Sequence, residues 1–136
     1  MKTLDDCYRK GLKKIDSDMI SASNCLISAA GHLDDAEASL EIKRYRLTLT
    51  SSYEAMFHAV KALLFKDGVK EHSHICVPVY LREAHPELEE YANTLDSYRL
   101  YREKATYGFD SIVNEVEAQA ALENGKILLE KMKTLV

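Results

Sequence analysis

The chain has 136 residues, of which 46% are hydrophobic and 29% charged, and its 18 Lys and Arg against 22 Asp and Glu give a net charge of −4. This length predicts a single domain, residues 1–136, that buries roughly two-thirds of the surface exposed by the unfolded chain. The acidic balance excludes a protein that coats nucleic acid through a broad basic face, so any nucleic-acid contact has to be local.

The sequence lacks the features of a membrane or secreted protein. No stretch approaches the roughly 18 consecutive apolar residues needed to span a bilayer. The first twenty residues are charged and lack the apolar segment of a signal peptide. We therefore expect a soluble cytoplasmic protein that makes no membrane contact.

Three cysteines are present, an odd number without a CxxC pair. We expect Cys7, Cys25 and Cys76 to be small buried side chains in a reducing compartment. The alternative is zinc bound by Cys76 with His72 and His74, but two histidines and one thiol within five residues match no standard ligand spacing. The sequence thus predicts no metal site, and it indicates no cofactor.

The first part of the chain predicts a short helix followed by the longest one. The short helix carries Leu4, Tyr8 and Leu12. The long helix begins near Ser17 or Asp18, whose side-chain oxygens can accept the free N–H groups of a first turn. Its apolar residues recur at alternating steps of four and three, the pattern of a helix packed against other helices: Ile15, Met19, Ala22, Leu26, Ala29, Leu33, Ala36 and Leu40.

A third helix is predicted from about Tyr45 to Lys66 and ends at Gly68, because glycine enters a left-handed C-terminal turn without steric cost. Residues 69–73 are polar and typical of a turn. A short helix then covers about 75–84, with Pro78 in its first turn. The alternative for 75–79 is a β-strand, but the sequence offers no second strand-like segment to pair with it. The apolar stripe of the third helix is Leu49, Tyr53, Met56, Val60 and Leu63.

Two more helices complete the chain. Pro86 opens the first, whose buried face reads Leu88, Tyr91, Leu95 and Tyr98, and the next position in that series is Arg102. A guanidinium that continues an apolar stripe points into the bundle or a cleft, where it needs an anion or hydrogen-bond acceptors.

The last helix follows Gly108, with Asp110 or Ser111 as its cap, and runs to about Thr134. Its predicted stripe is Val113, Val116, Ala120, Ile127 and Leu135. The fold class is therefore all-α, an up-and-down four-helix bundle with one or two short extra helices.

Several segments in order carry a family resemblance. Tyr45, the run SYEAMFHA at 52–59, Gly68 with His72, and REKATY at 102–107 together resemble the small prokaryotic HEPN proteins, the higher eukaryote and prokaryote nucleotide-binding domains. The closest type has a "YYAMFHA" helix and a later "R..ADY" signature. The similarity covers roughly residues 45–129 in the same helix order.

The resemblance implies a helical homodimer that often acts beside a minimal nucleotidyltransferase as one half of a toxin–antitoxin pair. In ribonuclease members, an arginine followed four to six residues later by histidine forms the active centre. This chain keeps the arginine as Arg102, but Tyr107 replaces the histidine and Thr106 stands where the subgroup usually has Asp. A tyrosine of pKa about 10 is a poor base at neutral pH, so catalysis is absent or weak.

Each candidate site residue has a structural alternative. Arg102 and Tyr107 are the candidate catalytic residues, and Arg102 can also hold phosphate with Tyr53, His58 and His72. Tyr107 is in addition a plausible acceptor for nucleotidyl transfer by a partner enzyme. Arg102 could instead form an ion pair with a carboxylate such as Glu54, Tyr107 could pack at a helix junction, and the histidines could lie at an interface or cap a helix.

Three functions are therefore compatible with the sequence. The favoured one is a dimeric module that binds a nucleotide or a nucleotidyltransferase partner. The second is a metal-independent ribonuclease that acts on RNA through a composite site containing Arg102 and a displaced histidine. The third is a structural interaction protein, in which these polar residues only set the helix register.

Overall fold

The computed structural model describes residues 2–108 and 112–136. This part of the chain contains α1 Leu4–Arg9, β1 Leu12–Lys14, α2 Met19–Glu41, α3 Tyr45–Asp67, β2 Val69–Glu71, α4 Cys76–Ala84, a 3₁₀ turn Pro86–Leu88, α5 Glu89–Tyr107 and α6 Glu115–Leu135. The predicted all-α helical bundle is confirmed. Within the described residues, no helix is both long and apolar enough to cross a bilayer.

The third helix, α3, is the centre of the bundle. It packs against α2, α5 and α6, and Tyr53, Leu49 and Met56 on it are completely buried. Its predicted end is confirmed, since Gly68 adopts the left-handed conformation at φ 85° and its N–H donates to the carbonyl groups of the last turn. α3 therefore contributes side chains to its contacts with all three of these long helices.

The N-terminus of α2 confirms Asp18 as the cap, because its carboxylate accepts a hydrogen bond from the N–H of Ser21 at 2.9 Å. The predicted stripe is correct in the middle of α2, where Ala22, Ala29, Leu33 and Ala36 are buried. It is wrong at its start. Ile15 precedes the helix, and Met19 is 45% exposed.

A small antiparallel sheet corrects two predictions. Leu12 belongs to β1 and not to the first helix, because α1 ends at Arg9 and Lys10 already has an extended backbone. Residues 69–71 form β2, which pairs with β1 in the register Leu12 to Glu71 and Lys14 to Val69. Strands of three residues are too short to produce a readable alternation, so the segment 69–73 resembled a turn.

The buried face of α6 differs from the predicted stripe. Val116 and Ile127 are 74% and 50% exposed and Ala120 is exposed, so the predicted series was wrong at these positions. Val113, which precedes the helix, is buried, and Leu135 packs against the core. Three of the seven buried residues of α6 are small, which lets α6 approach α3 closely and weakens the hydrophobic signal of this face. The buried residues are Ala118, Ala121, Leu122, Gly125, Leu128, Leu129 and Met132.

The cap of α6 is Asn114, whose side chain accepts from the N–H of Glu117 at 2.8 Å, while the Glu117 carboxylate accepts from the N–H of Asn114 at 3.1 Å. This reciprocal pair satisfies two N–H groups at the start of the helix. The predicted caps Asp110 and Ser111 lie outside the described residues. The helix therefore begins later than the sequence suggested.

The prediction for the cysteines was wrong for two of the three. Cys7 on α1 and Cys76 at the start of α4 form a disulfide, with their Cα atoms 5.6 Å apart. Cys25 is a free buried cysteine, as predicted. Because the two bonded residues are separated by 69 positions in the chain, no local spacing could have indicated their pairing.

A glycine substitution tests this description of the C-terminal end of α3. A Cβ at Gly68 would lie 2.6 Å from the backbone carbonyl oxygen of Ile15, in a left-handed conformation that side chains disfavour. We expect Gly68→Ala to lower the free energy of unfolding by about 2 kcal/mol in urea denaturation. The control is Gly31→Ala in α2, where a Cβ meets no atom within 4 Å. This substitution should raise the free energy of unfolding by up to about 1 kcal/mol. Equal effects of the two substitutions would contradict this account.

Candidate functional site

Arg102 on α5 faces inward toward α3. Its guanidinium carbon lies 5.2 Å from the centre of the Tyr53 ring, a distance typical of a cation–π contact. Its Nε is buried and has no hydrogen-bond partner among residues 2–108 and 112–136. A buried guanidinium nitrogen without an acceptor is costly, so this position favours an anion or another acceptor brought by a ligand.

The Tyr53 side chain connects this arginine to a histidine that sequence reasoning placed only in a loop. Its ring is completely buried, and its hydroxyl lies 2.9 Å from Nδ1 of His74. The His74 ring also packs on Phe57, with 4.0 Å between ring centres. Burial raises the pKa of Tyr53 and lowers the pKa of His74. The phenol is therefore protonated and the imidazole neutral at pH 7, so the hydroxyl either donates to Nδ1 or accepts from it, depending on which ring nitrogen of His74 carries the proton.

A groove of about 1010 Å³ lies between the α2–α3 connection and the C-terminal half of α5. We call it the basic groove, because four cationic residues and one carboxylate, Glu54, line it within the described part of the chain. The cations are Lys43, Arg44, Arg46 and Arg102. A local surplus of positive charge on an acidic chain indicates a site for an anionic ligand.

The connection that carries these cations has an unusual backbone. Lys43 adopts a left-handed conformation at φ 62°, and Arg44 follows with its N–H donating to the carbonyl of Ser39 at 2.8 Å. A left-handed lysine costs about 1–2 kcal/mol relative to an ordinary helical conformation. This turn brings Lys43, Arg44 and Arg46 to the same groove as Arg102.

The structure does not pair Arg102 with Glu54. Among the described residues Arg102 forms no ion pair, and Glu54 lies instead beside His58, with 4.0 Å between the carboxylate and Nε2. The alternative in which Arg102 is one half of a structural ion pair therefore has no partner residue in the described part of the chain. The guanidinium contacts the Tyr53 ring.

The remaining candidates occupy other positions. Tyr107 is 75% exposed and lies beside Leu100, Glu103 and Lys104; five residues correspond to roughly 140° around a helix, so it points away from Arg102. His72 is exposed, and its N–H donates to the carbonyl of Gly11 at 2.7 Å. His58 is half-buried and does not line the basic groove. The structure thus brings together Arg102 and Tyr53, but not Tyr107 or His72.

Three residues of this site were missed as functional candidates, and a fourth, His74, was considered only as an alternative zinc ligand. His74 pairs with Tyr53 across 21 positions, and no short motif connects them. Lys43, Arg44 and Arg46 stand at the start of α3, where charged residues usually cover a solvated surface. The signal that could have found them is their density, with three cations in the four residues 43–46.

The chain matches the model of a known protein family. The model of the HEPN domain matches residues 22–135, which include most of α2 and all of α3 to α6. The chain belongs to the HEPN family. No curated protein matches it. In this HEPN domain the basic groove and the Arg102–Tyr53–His74 contacts both lie inside the matched region.

Proposed function

We propose that this HEPN protein is a homodimeric module that binds the phosphate groups of a nucleotide in the basic groove and acts beside a minimal nucleotidyltransferase in a toxin–antitoxin pair. The observation that carries the proposal is the buried Nε of Arg102, without a partner among the described residues, at a groove with three further cations. Arginine is suited to phosphate because its planar fork donates two parallel hydrogen bonds.

The rest of the groove supports a nucleotide as the ligand. Its lining includes Tyr45 and the apolar residues Ile42 and Leu47 beside the cations. An aromatic ring and aliphatic side chains can contact a base, while Arg102, Arg44 and neighbouring cations hold phosphates. A volume of about 1010 Å³ is large enough for a ligand of this size.

Tyr107 is the proposed contact point for the nucleotidyltransferase. Its phenol is exposed at the end of α5, outside the basic groove, where a partner enzyme can reach it. In such a transfer the phenolic oxygen would attack the α-phosphorus of a nucleoside triphosphate, lose its proton and release pyrophosphate. Tyr107→Phe removes this acceptor and leaves the groove unchanged.

Exposed apolar side chains support dimer formation. Leu47 and Ile112 at the groove, Leu100 on α5 and Val116 on α6 are all more than half exposed. Apolar side chains that cluster on a surface indicate a protein interface. We expect sedimentation velocity at micromolar concentration to show a dimer, and a monomer under the same conditions would contradict this part of the proposal.

Nucleotide binding is tested by titrating the protein with ATP in a calorimeter at low and high salt. We expect saturable binding that weakens as salt rises, because exposed cations are screened. Inorganic triphosphate should compete with ATP, whereas adenosine should compete poorly. Tighter competition by adenosine than by triphosphate, or absence of ATP binding, would contradict a phosphate-binding groove.

The contact between Tyr53 and His74 favours metal-independent ribonuclease activity as the second candidate function. A neutral imidazole can take the proton of an RNA 2′-hydroxyl at Nε2 when Nδ1 carries the ring proton and donates to the Tyr53 hydroxyl, and Tyr53 in turn contacts Arg102. We expect any cleavage of single-stranded RNA in the presence of EDTA to fall at least about 100-fold in His74→Gln. The matched control is His72→Gln, a histidine two residues away in the same segment. Equal activity in the two variants would exclude His74 from the chemistry.

A further inference from the structure

A second cluster of polar side chains lies between α2 and α3. It consists of His32 from α2 and Glu54 and His58 from α3, and all three are half-buried. One ligand atom from each can be chosen so that these atoms lie within 4.8 Å of one another. Glu54 and His58 are one helical turn apart, a spacing that places both side chains on the same face.

The geometry is close to that of a metal site without an ion. Around Zn²⁺, ligand atoms about 2.0–2.1 Å from the metal stand roughly 3.3 Å from one another. Here Nε2 of His58 and the nearer carboxylate oxygen of Glu54 are 4.0 Å apart. Their side chains retain 26% and 35% exposure, so small rotations can bring these atoms to coordination distance and solvent can supply a fourth ligand.

The two imidazoles of the cluster lie next to each other, and the lysine beside them is already paired. The rings of His32 and His58 are nearly parallel, with 15° between their planes and 5.1 Å between their centres. The charge of Lys61 acts on His58, but Lys61 is itself paired with Glu71 at 3.1 Å, so a carboxylate offsets its repulsion of a bound cation.

From this geometry we infer a binding site for a divalent transition-metal ion at His32, Glu54 and His58, which joins α2 to α3. Two imidazoles and one carboxylate select borderline ions such as Zn²⁺, Co²⁺ or Ni²⁺ over Mg²⁺ and Ca²⁺, which require oxygen ligands. Glu54 also lines the basic groove, but His32 and His58 do not, so substitution of either histidine tests the metal site apart from nucleotide binding.

The test consists of two titrations of the tag-free protein. Co²⁺ binding is monitored by visible d–d absorption, and Zn²⁺ binding is monitored by the melting temperature. We expect one Co²⁺ per chain and a rise of the melting temperature in Zn²⁺ that Mg²⁺ does not produce. His32→Gln and His58→Gln should each weaken Co²⁺ binding at least about tenfold. His72→Gln is the matched control and should bind as the unchanged protein does.

Circular dichroism without metal shows whether each variant folds, and if His58→Gln does not, His32→Gln carries the comparison. Absence of Co²⁺ binding by the unchanged protein would overturn the inference. So would binding that His32→Gln and His58→Gln leave intact, or that His72→Gln reduces equally. Loss of ATP binding without loss of Co²⁺ binding would affect only the proposed function.

Discussion

Reduction of the Cys7–Cys76 disulfide is expected to lower the free energy of unfolding by about 4 kcal/mol, and the melting temperature by about 15 °C. The bond closes a loop across 69 positions of the chain, so it removes much of the conformational freedom of the unfolded state. It also fastens α1, a helix of only six residues, to α4.

The three cysteines provide the controls for this experiment. Dithiothreitol should destabilise the unchanged protein and Cys25→Ala, because Cys25 takes no part in the bond. It should have little effect on the double variant Cys7→Ser with Cys76→Ser. Titration of thiols in denaturant without reductant should find one thiol per chain. Three reactive thiols, or an equal effect of reductant on the double variant, would contradict the disulfide.

Reduction of the disulfide is expected to leave ligand binding in the basic groove unchanged. The basic groove is lined by the α2–α3 connection, by α5 and by the segment before α6, whereas the bond joins α1 to α4. Reduced protein held below its melting temperature should therefore bind ATP as the oxidised protein does. A loss of binding on reduction would show that α1 or α4 supports the groove.

Features that depend on neighbouring residues could be predicted from the sequence. Asp18 caps α2 and Gly68 ends α3 because cap chemistry acts within three or four positions. The inward direction of Arg102 followed from the 3,4 spacing of its helix. These features need no knowledge of the rest of the fold.

Features that depend on distant residues could not be predicted. The hydrogen bond of Tyr53 to His74 and the disulfide of Cys7 with Cys76 join residues 21 and 69 positions apart. The buried face of α6 was missed for a different reason. Gly125 and the neighbouring alanines are buried because α6 lies close to α2 and α3, and a Cβ at Gly125 would approach Leu33 to 2.9 Å. Small residues chosen for close approach carry little hydrophobic signal.

Arg102→Ala is expected to weaken ATP binding by about 2–4 kcal/mol, or roughly 30-fold to 1000-fold, because a phosphate would lose charge-assisted hydrogen bonds from a half-buried guanidinium. Its effect on stability should be small. The substitution loses one cation–π contact with Tyr53, of about 0.5–1 kcal/mol, but it also removes the buried Nε that lacks a partner in the described residues.

Two further variants separate charge from geometry. Arg102→Lys keeps the positive charge but lacks the planar fork, so its binding loss should lie between that of Arg102→Ala and zero. Arg82→Ala is the matched control, because Arg82 on α4 contacts Asn93 at 2.8 Å and does not line the basic groove. The measurements are calorimetric titration with ATP and thermal unfolding of each variant. If Arg102→Ala strongly lowers the melting temperature while ATP binding is unchanged, Arg102 only sets the packing of α5 on α3, and the protein is a structural interaction module.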